Sequence, residues 1–288
     1  MITLENEHIK ASFLPKGAEL KSLIKKDSGQ QYMWNADPDY WGKTSPVLFP
    51  IVGALKNNTY NYKDSEYELS RHGFARDKEF QIQQLGNQEV LFTLKSDEQT
   101  LKNYPFEFNL GLRYRLNEDI LSCSYEVHNP GASNLLFSIG GHPAFAVPLS
   151  KGEDYNDYEL EFNADQVLTY YKINDNLIDH KTENITLLNR KLRLQHNLFY
   201  DDALVFKSLK SNRISLKGGQ NKPGIHFSFE GFPYFGIWSA KDADFVCLEP
   251  WCGIADGIDH DQDLDKKEGI ITLLPGGSWH RTWKVQPF

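Results

Sequence analysis

Apolar and polar positions alternate along much of this chain. Phe106, Phe108, Leu110, Leu112, Tyr114 and Leu116 interleave with Glu107, Asn109, Gly111, Arg113 and Arg115. After Asn117-Glu118-Asp119 the period resumes, with Leu121, Cys123, Tyr125 and Val127 set against Ser122, Ser124, Glu126 and His128. Successive strand side chains point to opposite faces, so this pattern predicts a long hairpin with one buried face, closed by Asn129-Pro130-Gly131. Tyr158, Leu160 and Phe162 repeat the pattern, as do Ile225, Phe227 and Phe229. Continuously apolar runs at 90–94, 245–248 and 270–274 predict inner strands covered on both faces. No stretch of about a dozen residues holds helical spacing; helical turns are expected only at 37–41 and 100–103. Turn clusters such as Asp27-Ser28-Gly29, Lys217-Gly218-Gly219 and Pro275-Gly276-Gly277 separate the strands. The expected architecture is all-β, an antiparallel sandwich or barrel. With no internal repeat, linker or composition shift, residues 1–288 are expected to form a single domain.

The net charge of −8 excludes the basic surface that nucleic acid or an anionic membrane would need. No apolar run approaches the roughly 20 residues that span a bilayer. The N-terminal Met-Ile-Thr-Leu-Glu-Asn-Glu has neither a basic nor an apolar leader region, which predicts no secretion. Three cysteines, Cys123, Cys247 and Cys252, make no disulfide framework and suit a reducing cytoplasm. The aromatic fraction of 13% supplies flat surfaces for a ligand as well as for a β core.

Three segments place one acid–base residue among glycine, proline and aromatic neighbours: Arg71-His72-Gly73-Phe74-Ala75-Arg76, Gly140-Gly141-His142-Pro143-Ala144-Phe145 and Leu248-Glu249-Pro250-Trp251-Cys252-Gly253. Glycine and proline break strand pairing, so such side chains leave the sheet at its ends and can enter a cleft. His142 is expected to leave the sheet after a strand at 135–139. Its imidazole suits proton transfer near neutrality, though a histidine held in a turn would look the same. Glu249 ends an apolar run, where a carboxylate is costly unless paired or used; a solvent-facing strand end is the plain alternative. Trp251 offers a flat face beside it. Arg71 and Arg76 are an odd number of residues apart, so an unbroken strand would send only one into a cleft, and Arg76 is favoured.

The acidic run 256–265 begins a calcium-loop spacing at Asp261, Asp263 and Asp265. Lys266 then occupies the glycine position and Thr272 that of the bidentate glutamate. A solvated loop is expected instead. Zinc-ligand spacing, a nucleophile elbow, dinucleotide fingerprints and phosphate loops are all missing. Cys252 as a nucleophile is weaker than Cys252 as a buried thiol.

In this order and separation the three segments resemble the aldose 1-epimerase (mutarotase) family, and within it the LacX-like branch. Ser45-Pro46-Val47-Leu48-Phe49-Pro50-Ile51-Val52-Gly53, Phe199-Tyr200-Asp201-Asp202-Ala203-Leu204 and Leu274-Pro275-Gly276-Gly277-Ser278 are similar to further family segments, so the resemblance covers nearly the whole chain. It implies a large antiparallel β-sandwich of the galactose mutarotase-like supersandwich type, with an open cleft and no cofactor or metal. The family's general base falls on Glu249, its general acid on His142 and its first sugar-binding histidine on His72. Its sugar-binding aspartate falls on Asp201 or Asp202, with Asp202 favoured. Arg76 matches an arginine of related sugar-phosphate epimerases, and Trp251 joins the substrate-binding set. Galactose mutarotases carry an arginine where this chain reads Leu48-Phe49-Pro50, so galactose specificity is not implied.

The expected partner is a small sugar, with no nucleic acid or membrane, and the assembly a monomer or homodimer. Glu249 as carboxylate would take the anomeric proton while His142 as imidazolium protonates the ring oxygen. Glycoside hydrolysis needs two flanking carboxyl groups, and a non-catalytic sugar-binding module needs no acid–base set. With a single arginine in the cleft, neutral hexoses are expected to outperform their 6-phosphates.

Overall fold

All eight residues of Phe245–Cys252 are buried, which a strand achieves only when both of its faces are covered. The computed structural model, which describes residues 1–288, shows what covers them. Phe245–Cys252 lies within an antiparallel sheet of order Leu177–Thr186, Val167–Asn174, Leu204–Phe206, Tyr234–Trp238, Phe245–Cys252, Ile139–Gly141 and Val47–Leu48. Ala144–Ala146 pairs with the same central strand. A nine-stranded antiparallel sheet packs on one face. It contains the long hairpin Asn109–Asn117 and Ile120–His128, followed outwards by Ser278–Pro287, Gly224–Ser228 and Arg213–Lys217. Aromatic contacts such as Phe229–Phe235 at 4.2 Å and Phe145–Phe227 at 5.9 Å join the layers. This is the expected β-sandwich.

The core is unevenly distributed. One cluster of 63 buried apolar residues fills the space between the sheets and under their edges. The outer face of the smaller sheet carries only two clusters, of 7 and 5 residues. A thinly covered face in an otherwise well-filled sandwich is where a cleft can open. No helix is long and apolar enough to cross a membrane.

Several elements depart from the sequence expectation. Pairing in the hairpin begins at Asn109, not at Phe106. Pro105 has no amide proton, and the Phe106 N–H bonds to the Tyr104 carbonyl instead. Residues 90–94 fall within Glu89–Lys95, whose faces alternate between buried and half-exposed, because the outer face of the larger sheet meets water. Residues 270–274 pair only as Ile271–Leu273 in a two-stranded ribbon, with Leu274 66% exposed. The expected strand at 135–139 splits at Ser138 into Leu135–Phe137 and Ile139–Gly141, which belong to different sheets. Residues 37–41 form a turn in which the Tyr40 and Trp41 amides share the Asp37 carbonyl. Thr100–Asn103 is helical, as expected.

Candidate active site

Alternation along Phe245–Cys252 puts Val246, Leu248 and Cys252 into the main core. Phe245 and Cys247 belong to one small outer cluster and Trp251 to the other, so Glu249 shares the cleft side with them. The Trp251 indole needs bare backbone beneath it. A Cβ on Gly236 would lie 2.5 Å from its Cη2, and one on Gly140 2.6 Å from its Cδ1. Both glycines thus admit the ring.

Register brings the acid–base pair together. Ile139 and Gly140 oppose Cys252 and Trp251, and Ala144 opposes Cys247. The two ladders share one register, which sets His142 opposite Glu249 across the Gly141–Pro143 interruption. Directly opposed Cβ atoms stand roughly 5 Å apart. The result is a contact of 3.3 Å between His142 Nε2 and Glu249 Oε2, with both side chains buried.

His72 reaches the same cleft by another route. Its φ of +69° is left-handed, a conformation costing about 1–3 kcal/mol for a residue with a Cβ. The Gly53 N–H donates to His72 Nδ1 at 3.1 Å, while the His72 N–H donates to the Gly53 carbonyl at 2.8 Å. An accepting Nδ1 leaves the neutral ring's proton on Nε2. Burial, with His142, Arg71 and Arg76 adding to it, holds the His72 imidazole well below its ordinary pKa. His72 is therefore a neutral donor. The apolar segment 45–53 serves this site by supplying Gly53.

The His142 ring is gripped by aromatic faces. It stacks on Trp41 at 4.9 Å and 29°, and meets Trp238 at 5.6 Å and His72 at 5.8 Å edge to face. Its buried Nδ1 has no hydrogen-bond partner, so ring packing rather than a bond behind the imidazole orients it. Burial lowers the His142 pKa to about 3, with Arg71 and Arg76 acting in the same direction and a contact to its own backbone opposing them. Burial also pushes the Glu249 carboxyl well above the carboxylate range, helped by Asp202 and opposed by Arg71. Burial thus disfavours the charged form of both groups. The neutral pair and the expected carboxylate–imidazolium pair are proton-transfer isomers with the same net charge.

The arginines overturn one expectation. Arg71 and Arg76 both line the cleft, a cavity of about 400 Å³ that also contains His72, His142, Glu249 and Trp251. Strand alternation does not apply, because His72 and Gly73 are left-handed and Ala75–Asp77 is a 3-10 turn. Arg71 donates to Asn176 Oδ1 at 3.0 Å, and Arg76 donates to the Arg71 carbonyl at 2.9 Å. Asp201 and Asp202 line the cleft too. Asp201 has an 83% exposed side chain tied to Lys172 at 2.8 Å. Asp202 accepts only from the Ala203 N–H, at 2.7 Å, and its charge is felt at Glu249.

Nothing in the sequence marks Trp41, Trp238 or Asn176 as cleft residues, and alternation sets Arg71 aside in favour of Arg76. Aromatic richness was the only signal for the two tryptophans. Cys252 sits on the core face, and burial raises its thiol to about 12, which removes it as a nucleophile. The acidic run 256–265 is not wholly solvated. Asp256 and Lys267 form a fully buried pair at 2.6 Å, and the Lys56 N–H also donates to Asp256, at 2.9 Å. That pair roots the loop beside Ala255, a wall of the cleft.

Comparison with known proteins adds the family. The aldose 1-epimerase family model matches residues 1–285. The chain belongs to the aldose 1-epimerase family. The plasmid and chromosomal forms of protein LacX from Lactococcus lactis subsp. lactis are each 34% identical over 284 residues, 95% of both chains. Among solved structures, a galactose mutarotase related enzyme from Lactobacillus acidophilus superposes with a TM-score of 0.95 at 34% identity, covering 100% of this chain and 97% of that one. A galactose mutarotase-like protein from Lactobacillus casei gives 0.92 at 31%, with complete coverage of both. The galactose mutarotase-like fold of this aldose 1-epimerase family member is thereby shown along its length.

Proposed function

We propose that the chain, acting as one domain in the cytoplasm, interconverts the α and β anomers of a free aldose. The observation that carries this reading is the buried His142–Glu249 contact of 3.3 Å at the base of a sugar-sized cleft. Ring opening removes a proton from the anomeric hydroxyl and adds one to the ring oxygen. A pair that gives one proton while taking another completes this step with no change of charge and needs no cofactor. Starting from the neutral pair, moving the carboxyl proton from Oε2 to Nε2 makes Glu249 the base for the anomeric hydroxyl and His142 the acid for the ring oxygen. The aldehyde then turns about C1–C2, and closure with the roles reversed gives the other anomer. His72 donates from Nε2 to a sugar oxygen, Asp202 and Arg76 bind hydroxyls, and Trp251 faces the ring. General acid and base help of this kind contributes roughly 10²–10⁴-fold.

Exchange spectroscopy by NMR on a panel of aldoses tests the reading. Accelerated anomer exchange without hydrolysis is expected. Glycoside cleavage, or binding without exchange, would replace it with the hydrolase or the binding-module reading.

A second reading follows from the two arginines. A single cleft arginine favoured neutral hexoses, whereas two guanidiniums can clamp a phosphate. Asp201 and Asp202 on the same cleft oppose a dianion, so the neutral aldose stays ahead. Comparing kcat/KM for a hexose and its 6-phosphate decides it: a tenfold preference for the phosphate, about 1.4 kcal/mol, would select the sugar phosphate.

A further inference from the structure

Cys247 takes no part in the proposed chemistry, yet it stands beside it. It precedes Glu249 by two positions on the same face of Phe245–Cys252, and it is fully buried in the cluster that packs against Trp41 and Trp238. One ligand atom each from Cys247, Glu249 and His142 lie within 4.8 Å of one another. The nitrogen–oxygen separation in this group is 3.3 Å. Around a tetrahedral zinc ion, bonds of about 2.0–2.1 Å to nitrogen and oxygen set those atoms about 3.3 Å apart, and a thiolate at about 2.3 Å stands about 3.6 Å from each. Two donors are already at ligand spacing, and the third needs a shift of about 1 Å.

We propose that Cys247, Glu249 and His142 form a binding site for a thiophilic divalent cation of the zinc class, and that the cation shuts down the acid–base pair. The donor set of one thiolate, one imidazole and one carboxylate matches borderline-soft ions and disfavours magnesium or calcium. On binding, the thiol and the carboxyl each release a proton to solvent and the imidazole coordinates as the neutral ring. Arg71 and Arg76 near the pair oppose the incoming charge, and the two ligand anions offset them. The open cleft supplies the fourth position. The unpartnered Nδ1 of His142 distinguishes this site from a resident zinc centre, whose histidines are held from behind; losing such support costs about 10–100-fold in affinity. The ion is therefore an inhibitor that exchanges, not a cofactor. The inhibitory consequence rests on the epimerase reading; the binding does not.

Titration of the full chain with Co²⁺ reads the site directly, because cobalt–thiolate bonds absorb in the near ultraviolet. A saturable band that Zn²⁺ displaces is expected. Cys247→Ala should abolish it although Cys123 and Cys252 remain, and Cys247→Ser provides a second variant should the alanine protein fail to fold. In parallel, Zn²⁺ should inhibit wild-type anomer exchange, with at least tenfold weaker inhibition in the Cys247 variant and metal-free rates within about threefold of wild type. No cobalt–thiolate band at millimolar Co²⁺ overturns the proposal, as does a band that survives in both Cys247 variants. A protein that forms the band without exchanging anomers keeps the metal site and loses the epimerase reading.

Discussion

Replacing Glu249 by glutamine separates catalysis from stability, because the two should move in opposite directions. Glutamine keeps the shape and can donate from its amide to His142 Nε2, so the 3.3 Å contact survives with no proton to transfer. Loss of the only carboxylate in that contact should slow anomer exchange by about 10²–10⁴-fold, or roughly 2.7–5.4 kcal/mol of barrier. Stability should rise. Burial raises the folded-state pKa of Glu249 above its unfolded value, so between those two values the folded protein binds more protons than the unfolded chain. Stability therefore falls as pH rises through that window. Glutamine never ionises, so the variant escapes this loss, and its advantage should be absent below about pH 4 and grow towards neutrality. Exchange spectroscopy with a saturating aldose measures the rate, and urea unfolding from pH 4 to 8 measures the stability. Retention of more than about a tenth of the activity, or a variant less stable than wild type at pH 7, would refute the reasoning.

Trp41→Leu removes the face stacked on His142 at 4.9 Å while keeping an apolar filler, and Trp41→Phe restores a face. With a desolvated cation–π contact set at about 1–2 kcal/mol, the leucine variant should lose about tenfold in kcat and have a less basic His142 by NMR titration, whereas phenylalanine should stay within about threefold. Asp202→Ala should weaken sugar binding in calorimetry more than Asp201→Ala, since Lys172 already holds Asp201 at the surface; equal losses would contradict this. Lys267→Met should cost about 3–5 kcal/mol in urea unfolding by stranding the fully buried Asp256.

The sequence alone determined the class of the fold and singled out the two groups proposed to react. Period-two alternation through Tyr114 and Tyr125 is a local property of strands, and it held through the long hairpin. His142 and Glu249 stood out because glycine and proline around them are incompatible with continued pairing. Their meeting was not legible, since it depends on the register between strands about a hundred residues apart, and register is a property of the packed sheet. The same limit explains Arg71. Alternation predicted that only one arginine would enter the cleft, but a left-handed His72 pinned by two hydrogen bonds to Gly53 broke the strand on which that prediction rested. Trp41 lies in a turn with no period to read; its carbonyl accepts from Trp34 Nε1 at 2.9 Å, and the Trp34 N–H in turn donates to the Ala144 carbonyl of the sheet. Charge state was decided last and by tertiary structure entirely. An imidazole that would titrate near neutrality in water and a carboxyl that would be ionised there are buried in one contact, and burial pushes each towards its neutral form.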